Sequence, residues 1–157
     1  MQLFVIVNTN TNMKNNSILL VLFAALMLAF GLSSFIFRTN AEKGIIFYEG
    51  TFDAALAKAK SENKIIFLDA YASWCGPCKK MAANVFTDEK VGEYFNANFI
   101  NLKIDMEKGE GPEIARKYPV QYYPTLFFID GKGNVVKKII GYHDDLQLIK
   151  EAQSVKP

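Results

Sequence analysis

Cys75 and Cys78 are the only cysteines in the chain, and they stand three positions apart in Trp74-Cys75-Gly76-Pro77-Cys78. On the first turn of a helix that spacing brings two sulfurs within bonding range. Residues 65–71 (IIFLDAY) form a near-continuous apolar run just before the pair, so the pair falls between a buried strand and the helix that follows it. Cys75 then sits at the helix N-terminus, where unpaired N–H groups and the dipole favour thiolate over thiol. Lys79 and Lys80 add positive charge nearby. Pro77 fixes φ and gives up a donor at the start of the helix, which stiffens the turn. Cys75 is therefore expected to be the exposed, attacking sulfur, and Cys78, one turn in and more buried, the sulfur that resolves a mixed disulfide.

Other chemistries fit these residues less well. A structural cross-link over so short a loop constrains little of the unfolded chain. A zinc site needs about four ligands, and the chain offers two cysteines and one histidine. That histidine, His143, lies beside Asp144 and Asp145 and reads as a solvated turn residue, so neither a metal nor another cofactor is expected. Inert buried cysteines leave the Trp and Gly-Pro flanks without a reason. A C-x-x-C beside alternating strands and helices reads as a redox dithiol.

The elements that must hold this pair follow from periodicity. Ile45-Ile46-Phe47-Tyr48 is a short strand candidate. Thr51 can cap a helix to about Asn63, with Phe52, Ala55, Leu56 and Ala59 on its buried face. After the strand at 65–71, a helix starts at Cys75 and a second at Thr87-Asp88, with Val91, Tyr94 and Phe95 apolar. Residues 99–104 form another strand, and residues 112–118 a short helix with Pro near its start. Strands at 125–129 and 135–140 flank the turn Asp130-Gly131-Lys132-Gly133-Asn134, and residues 144–153 close as a helix. The string β-α-β-α-β-α-β-β-α predicts an α/β domain with a mixed sheet and helices on both faces.

Composition narrows the function further. The first 37 residues hold one charged side chain, Lys14, while the remaining 120 hold 17 basic and 16 acidic ones. A net charge of +1 over those 120 residues gives no clustered basic face for nucleic acid. A chain that is 50% hydrophobic is not disordered. Residues 18–30 (ILLVLFAALMLAF) form an uninterrupted apolar run behind Lys14, the pattern of an export signal. Met13-Lys14-Asn15-Asn16 reads as a more natural start than Met1, so residues 1–12 are set aside. Gly31-Leu32-Ser33 offers small residues for cleavage. Against that, the 21 residues from Ser17 to Phe37 suffice to span a bilayer. Signal peptide and retained anchor both remain open, and both imply an exported domain. The expected organisation is a leader over 1–37, a linker over 38–44 and one domain over 45–157.

The stretch IIFLDAYASWCGPCKKM, with Tyr123-Pro124-Thr125 before the last hairpin and Gly141 after it, resembles the thioredoxin family. The resemblance covers about Ile45 to Gln153. Within the family, YASWCGPCKKMAANVFTDEKV is similar to exported thioredoxin-like domains such as the C-terminal domain of the membrane electron carrier DsbD. The resemblance implies a thioredoxin fold with sheet order 1-3-2-4-5. It matches Asp69 to a buried acid that takes the proton of Cys78, and Pro124 to a cis-proline facing the disulfide. It leaves the backbone of Tyr123 free to pair with an extended substrate, and gives Trp74, Gly76 and Pro77 places at the substrate face. The sequence departs from the family pattern at three places. Tyr71 replaces a usual Phe, and Tyr122-Tyr123 is bulkier than usual. Asn101 stands where the family has a lysine near the buried acid, so desolvation is expected to set the Asp69 pKa.

The expected function is an exported thiol-disulfide oxidoreductase acting on protein thiols and disulfides. A reducing direction is expected, which calls for a membrane electron donor. Two alternatives are a thiol reductase serving cytochrome c maturation and a non-catalytic binding module on the same fold.

Overall fold

The computed structural model describes residues 43–155; the expected leader over 1–37 and most of the linker over 38–44 lie outside the described residues. Thr51 Oγ1 accepts the Ala54 N–H at 3.2 Å and opens α1, Phe52–Glu62. Asn63, at φ 50°, ends the helix and turns the chain into β1, Ile65–Tyr71. The elements after β1 are α2 (Gly76–Asn84), α3 (Glu89–Asn98), β2 (Phe99–Asp105), α4 (Gly111–Lys117), β3 (Thr125–Ile129), β4 (Val135–Ile140) and α5 (Asp145–Gln153). Asp88 caps α3, and a reciprocal pair of bonds between Asp144 and Gln147 caps α5. Among the described residues no helix is long and apolar enough to cross a membrane.

The sheet runs β2-β1-β3-β4, with β1 parallel to β2 and antiparallel to β3, and β4 antiparallel to β3. This corrects the expected order 1-3-2-4-5: the chain at 45–48 lies along the outer edge of β2 but is not a strand. Only one strand-like bond joins the two, from Tyr48 N–H to the Asn101 carbonyl at 2.7 Å. Side chains take the other ladder positions. Ile46 N–H donates to Asn96 Oδ1 at 2.8 Å, and Asn101 Nδ2 donates to the Ile46 carbonyl at 3.2 Å. Two asparagine amides thus satisfy backbone groups that a regular ladder would have paired.

Alternation along β1 divides the core. Ile66, Leu68 and Ala70 face α1 and α4, where they pack with Phe52, Ile114 and Phe127. Ile65 and Phe67 face the other way, onto Met81, Phe95 and Phe128 from α2, α3 and β3. Phe67 is fully buried there, with ring centroids 4.7 Å from Phe95 and 5.4 Å from Phe128. The period of two sends Asp69 to that same second face, beneath the helix that starts with the cysteines. The β3–β4 turn behaves as read: Asp130 Oδ1 accepts the N–H groups of Lys132 and Asn134, and Gly133 supplies φ 84°.

Candidate active site

Strand β1 ends at Tyr71, and four residues later Cys75 is the N-cap of α2. Its Sγ accepts the Cys78 N–H at 3.1 Å, one of the amides that a helix start leaves unpaired. The two cysteines form a disulfide with Cα atoms 5.3 Å apart. Pro77 lies in the first turn as expected. Around Gly76 there is open space where a Cβ would stand, so nothing overhangs the pair at that point.

The expected contrast in exposure is not found, since Cys75 and Cys78 are each 2% exposed. In the disulfide form both sulfur residues pack with Ala72 against Tyr71 and Tyr123. What distinguishes the two is the helix terminus. An anionic sulfur at Cys75 receives an amide hydrogen bond and the positive end of the dipole. Of the two nearby lysines, Lys80 is drawn away over the Tyr142 ring, 4.7 Å from its centroid.

Tyr123, Pro124 and Trp74 gather beside this pair. The Tyr123–Pro124 bond is cis, and the Pro124 carbonyl accepts the Gly141 N–H at 2.8 Å. Among the described residues no backbone hydrogen bond engages Tyr123. The Trp74 ring meets Tyr123 edge-on at 5.6 Å. Tyr122, 66% exposed, points away from the core, and Thr125 Oγ1 donates to its carbonyl. His143 sits apart, half-buried, with Nδ1 3.1 Å from the Gly141 carbonyl.

Asp69 is 1% exposed, and neither carboxyl oxygen has a hydrogen bond of ordinary geometry. Burial pushes its pKa up from 3.8 to about 6, and Lys103, with Nζ 3.2 Å from Oδ2, opposes that rise. Desolvation does dominate, as the sequence suggests, but the lysine thought missing is present two residues later. Register explains the shift. Asp69 lies opposite Lys103 in the parallel ladder, whereas Asn101 lies opposite Phe67 and turns its amide to Ile46 and Asn96. The Lys103 ammonium also lies 4.8 Å from the Tyr71 ring centroid and 5.2 Å from that of Phe86. An opening of about 260 Å³ is lined by Cys78, Tyr71, Ala72, Ser73 and Lys103, so water there can touch both the sulfur residue and the partner of the acid. Among the described residues no group of three His, Cys, Asp or Glu side chains is placed to hold a metal.

Lys103→Met keeps the apolar stem and removes the opposing charge, so the Asp69 pKa is expected to climb above its present value of about 6. Carboxyl carbon NMR titration of both proteins measures this. An unchanged midpoint would show that Lys103 does not act on Asp69.

The sequence model described as a thioredoxin-like domain matches residues 52–156. A thioredoxin of the H type from Oryza sativa subsp. indica is 36% identical over 110 residues, covering 68% of this chain and 85% of that protein. The thiol:disulfide interchange protein DsbD of Yersinia pestis is 29% identical over 148 residues, which take in 87% of this chain but 24% of DsbD. Among solved structures, a candidate disulphide-isomerase from Bacteroides thetaiotaomicron has 48% identity and a TM-score of 0.63, over 71% of this chain and 92% of that one. Because the match runs through nearly all of the described domain and takes in most of a whole thioredoxin, this chain belongs to the thioredoxin-like family of thiol-disulfide oxidoreductases.

Proposed function

We propose that the chain is an exported protein-disulfide reductase, supplied with electrons by a membrane donor. The observation that carries the chemistry is the hydrogen bond from the Cys78 amide to Cys75 Sγ at the start of α2. In the reduced protein that amide and the helix dipole hold Cys75 as a thiolate. Cys75 attacks one sulfur of a substrate disulfide, forming a mixed disulfide and releasing the other substrate sulfur as a thiolate. Asp69, ionised above its pKa of about 6, takes the Cys78 proton. The Cys78 thiolate then displaces the substrate from Cys75. Two electrons have passed to the substrate, and the Cys75–Cys78 disulfide awaits a donor dithiol.

The Tyr123 backbone, without a backbone hydrogen bond among the described residues, and the open space above Gly76 suit an extended substrate chain lying across the disulfide. The reducing direction is supported by Gly76-Pro77, the dipeptide of thioredoxin, whose potential is roughly −270 mV against about −120 mV for the oxidant DsbA. Export and the membrane donor are supported by the apolar run at 18–30 and by similarity to DsbD.

One labelling experiment addresses both compartment and direction. Intact cells making the full chain are treated with a membrane-impermeant maleimide, with or without prior reduction. An exported reductase is held as the dithiol and is labelled at Cys75 without reduction. Labelling only after reduction would reverse the direction, and labelling only after lysis would remove export.

A further inference from the structure

The turn between β2 and α4 reaches across to the two residues that precede Cys75. Glu107 Oε2 accepts the Trp74 indole N–H at 2.8 Å. The next residue, Lys108, donates from Nζ to Ser73 Oγ, also at 2.8 Å. Asp105, the last residue of β2, sets this turn: its Oδ1 accepts the Glu107 N–H at 3.1 Å, and its carbonyl accepts the Lys108 N–H at 3.1 Å. Two consecutive residues of one loop thus grip two consecutive residues of the other, immediately before the cysteine pair.

Trp74 needs such a grip. It is 66% exposed, so packing alone does not choose its rotamer. Its edge-on contact with Tyr123 and the bond to Glu107 are the interactions that hold its ring. The same carboxylate lies close enough to Tyr123 to help raise the phenol pKa, after burial as the larger cause.

We infer that Glu107 is a positioning residue for exchange at Cys75, holding the Trp74 indole against Tyr123 so that the two rings form a fixed wall of the substrate groove, while Lys108 anchors the same loop through Ser73. This inference rests on the reading of the cysteine pair as an exchange site with a protein substrate. Glu107 touches neither sulfur nor the buried acid; it acts through Trp74. Its effect falls on substrate binding, because a wall that is already in place costs a substrate no ordering when it docks.

Trp74 is the only tryptophan in the chain, so its fluorescence reports on the grip directly. Glu107→Ala and Glu107→Gln are compared with the wild type in the full chain, by acrylamide quenching of Trp74 and by steady-state reduction of a protein disulfide. Losing one hydrogen bond between exposed groups corresponds to about a twofold to tenfold rise in KM. Glu107→Ala is expected to show that rise with kcat held within about twofold, and Trp74 becomes more accessible to acrylamide. Glu107→Gln retains an oxygen that accepts the indole N–H, and is expected to return both readouts to wild-type values. Unchanged quenching and KM in Glu107→Ala would overturn the inference, as would a glutamine variant that matches the alanine one. A wild-type protein that reduces no protein disulfide would instead strike the reading of the site, whatever Trp74 shows.

Discussion

Cys75→Ser is expected to reduce disulfide exchange to the uncatalysed level. A serine hydroxyl at the α2 N-terminus accepts the same amide hydrogen bond but remains un-ionised at neutral pH, so nothing attacks the substrate. Unfolding does not explain such a loss. The disulfide closes a loop of four residues, and on the chain-entropy account removing it costs about 2 kcal/mol. Cys78→Ser has a different signature. Attack by Cys75 proceeds, the resolving sulfur is absent, and the chain accumulates as a mixed disulfide with its substrate. Thiol trapping with non-reducing electrophoresis separates these outcomes and identifies the captured proteins. If Cys75→Ser kept full activity while Cys78→Ser lost it, the order of attack would be reversed. If neither variant changed the protein's effect on its partners, the chain would be a binding module that happens to carry a disulfide.

Much of this site can be read from local pattern. The run IIFLDAY specifies a central strand, its alternation places Asp69 with Phe67 on one face, and the following Cys-Gly-Pro-Cys supplies a cap, a helix start and a redox pair in four residues. The short apolar run at 45–48 misleads, because both backbone groups of Ile46 pair with the side chains of Asn96 and Asn101, and hydrophobicity carries no record of them. Lys103 was within reach: strand parity puts it on the same face as Asn101, and pairing it with Asp69 required only the register between β1 and β2. The burial of Cys75 comes from Tyr71, at the end of β1, and Tyr123, in the loop before β3, which no local pattern brings together. Glu107 left no trace in the sequence. Its role comes from a turn that crosses to Trp74, and no spacing rule connects positions 33 residues apart.

Asp69→Asn is expected to make the protein more stable and a poorer catalyst. The carboxyl pKa is about 6 in the folded protein against an ordinary 3.8, so the folded state holds the proton more tightly than the unfolded chain. The sign follows from that. Stability is at its full value below about pH 3.8 and falls as pH rises through about 6, where a charge must be carried in a site that offers neither oxygen a hydrogen bond of ordinary geometry. The shift corresponds to about 3 kcal/mol lost by pH 8. Asparagine has the same shape and no charge, so the variant should recover up to about 3 kcal/mol at pH 8 and gain nothing near pH 4. Chemical denaturation of the oxidised proteins at the two pH values measures this difference directly. A variant no more stable than the wild type at pH 8 would mean that Lys103 already compensates the buried charge. Catalysis moves the other way. Without a base to take the Cys78 proton, resolution of the mixed disulfide slows, and general-base assistance is typically worth about 10²-fold or more. Attack by Cys75 on a small disulfide keeps its rate, because its thiolate rests on the helix terminus and not on Asp69. Slow resolution with normal attack is the pattern to look for in stopped-flow traces, and equal slowing of both steps would place Asp69 outside the proton path. A buried acid that lowers stability at neutral pH and speeds only the second step is positioned for turnover, a trade of stability against activity made at one residue.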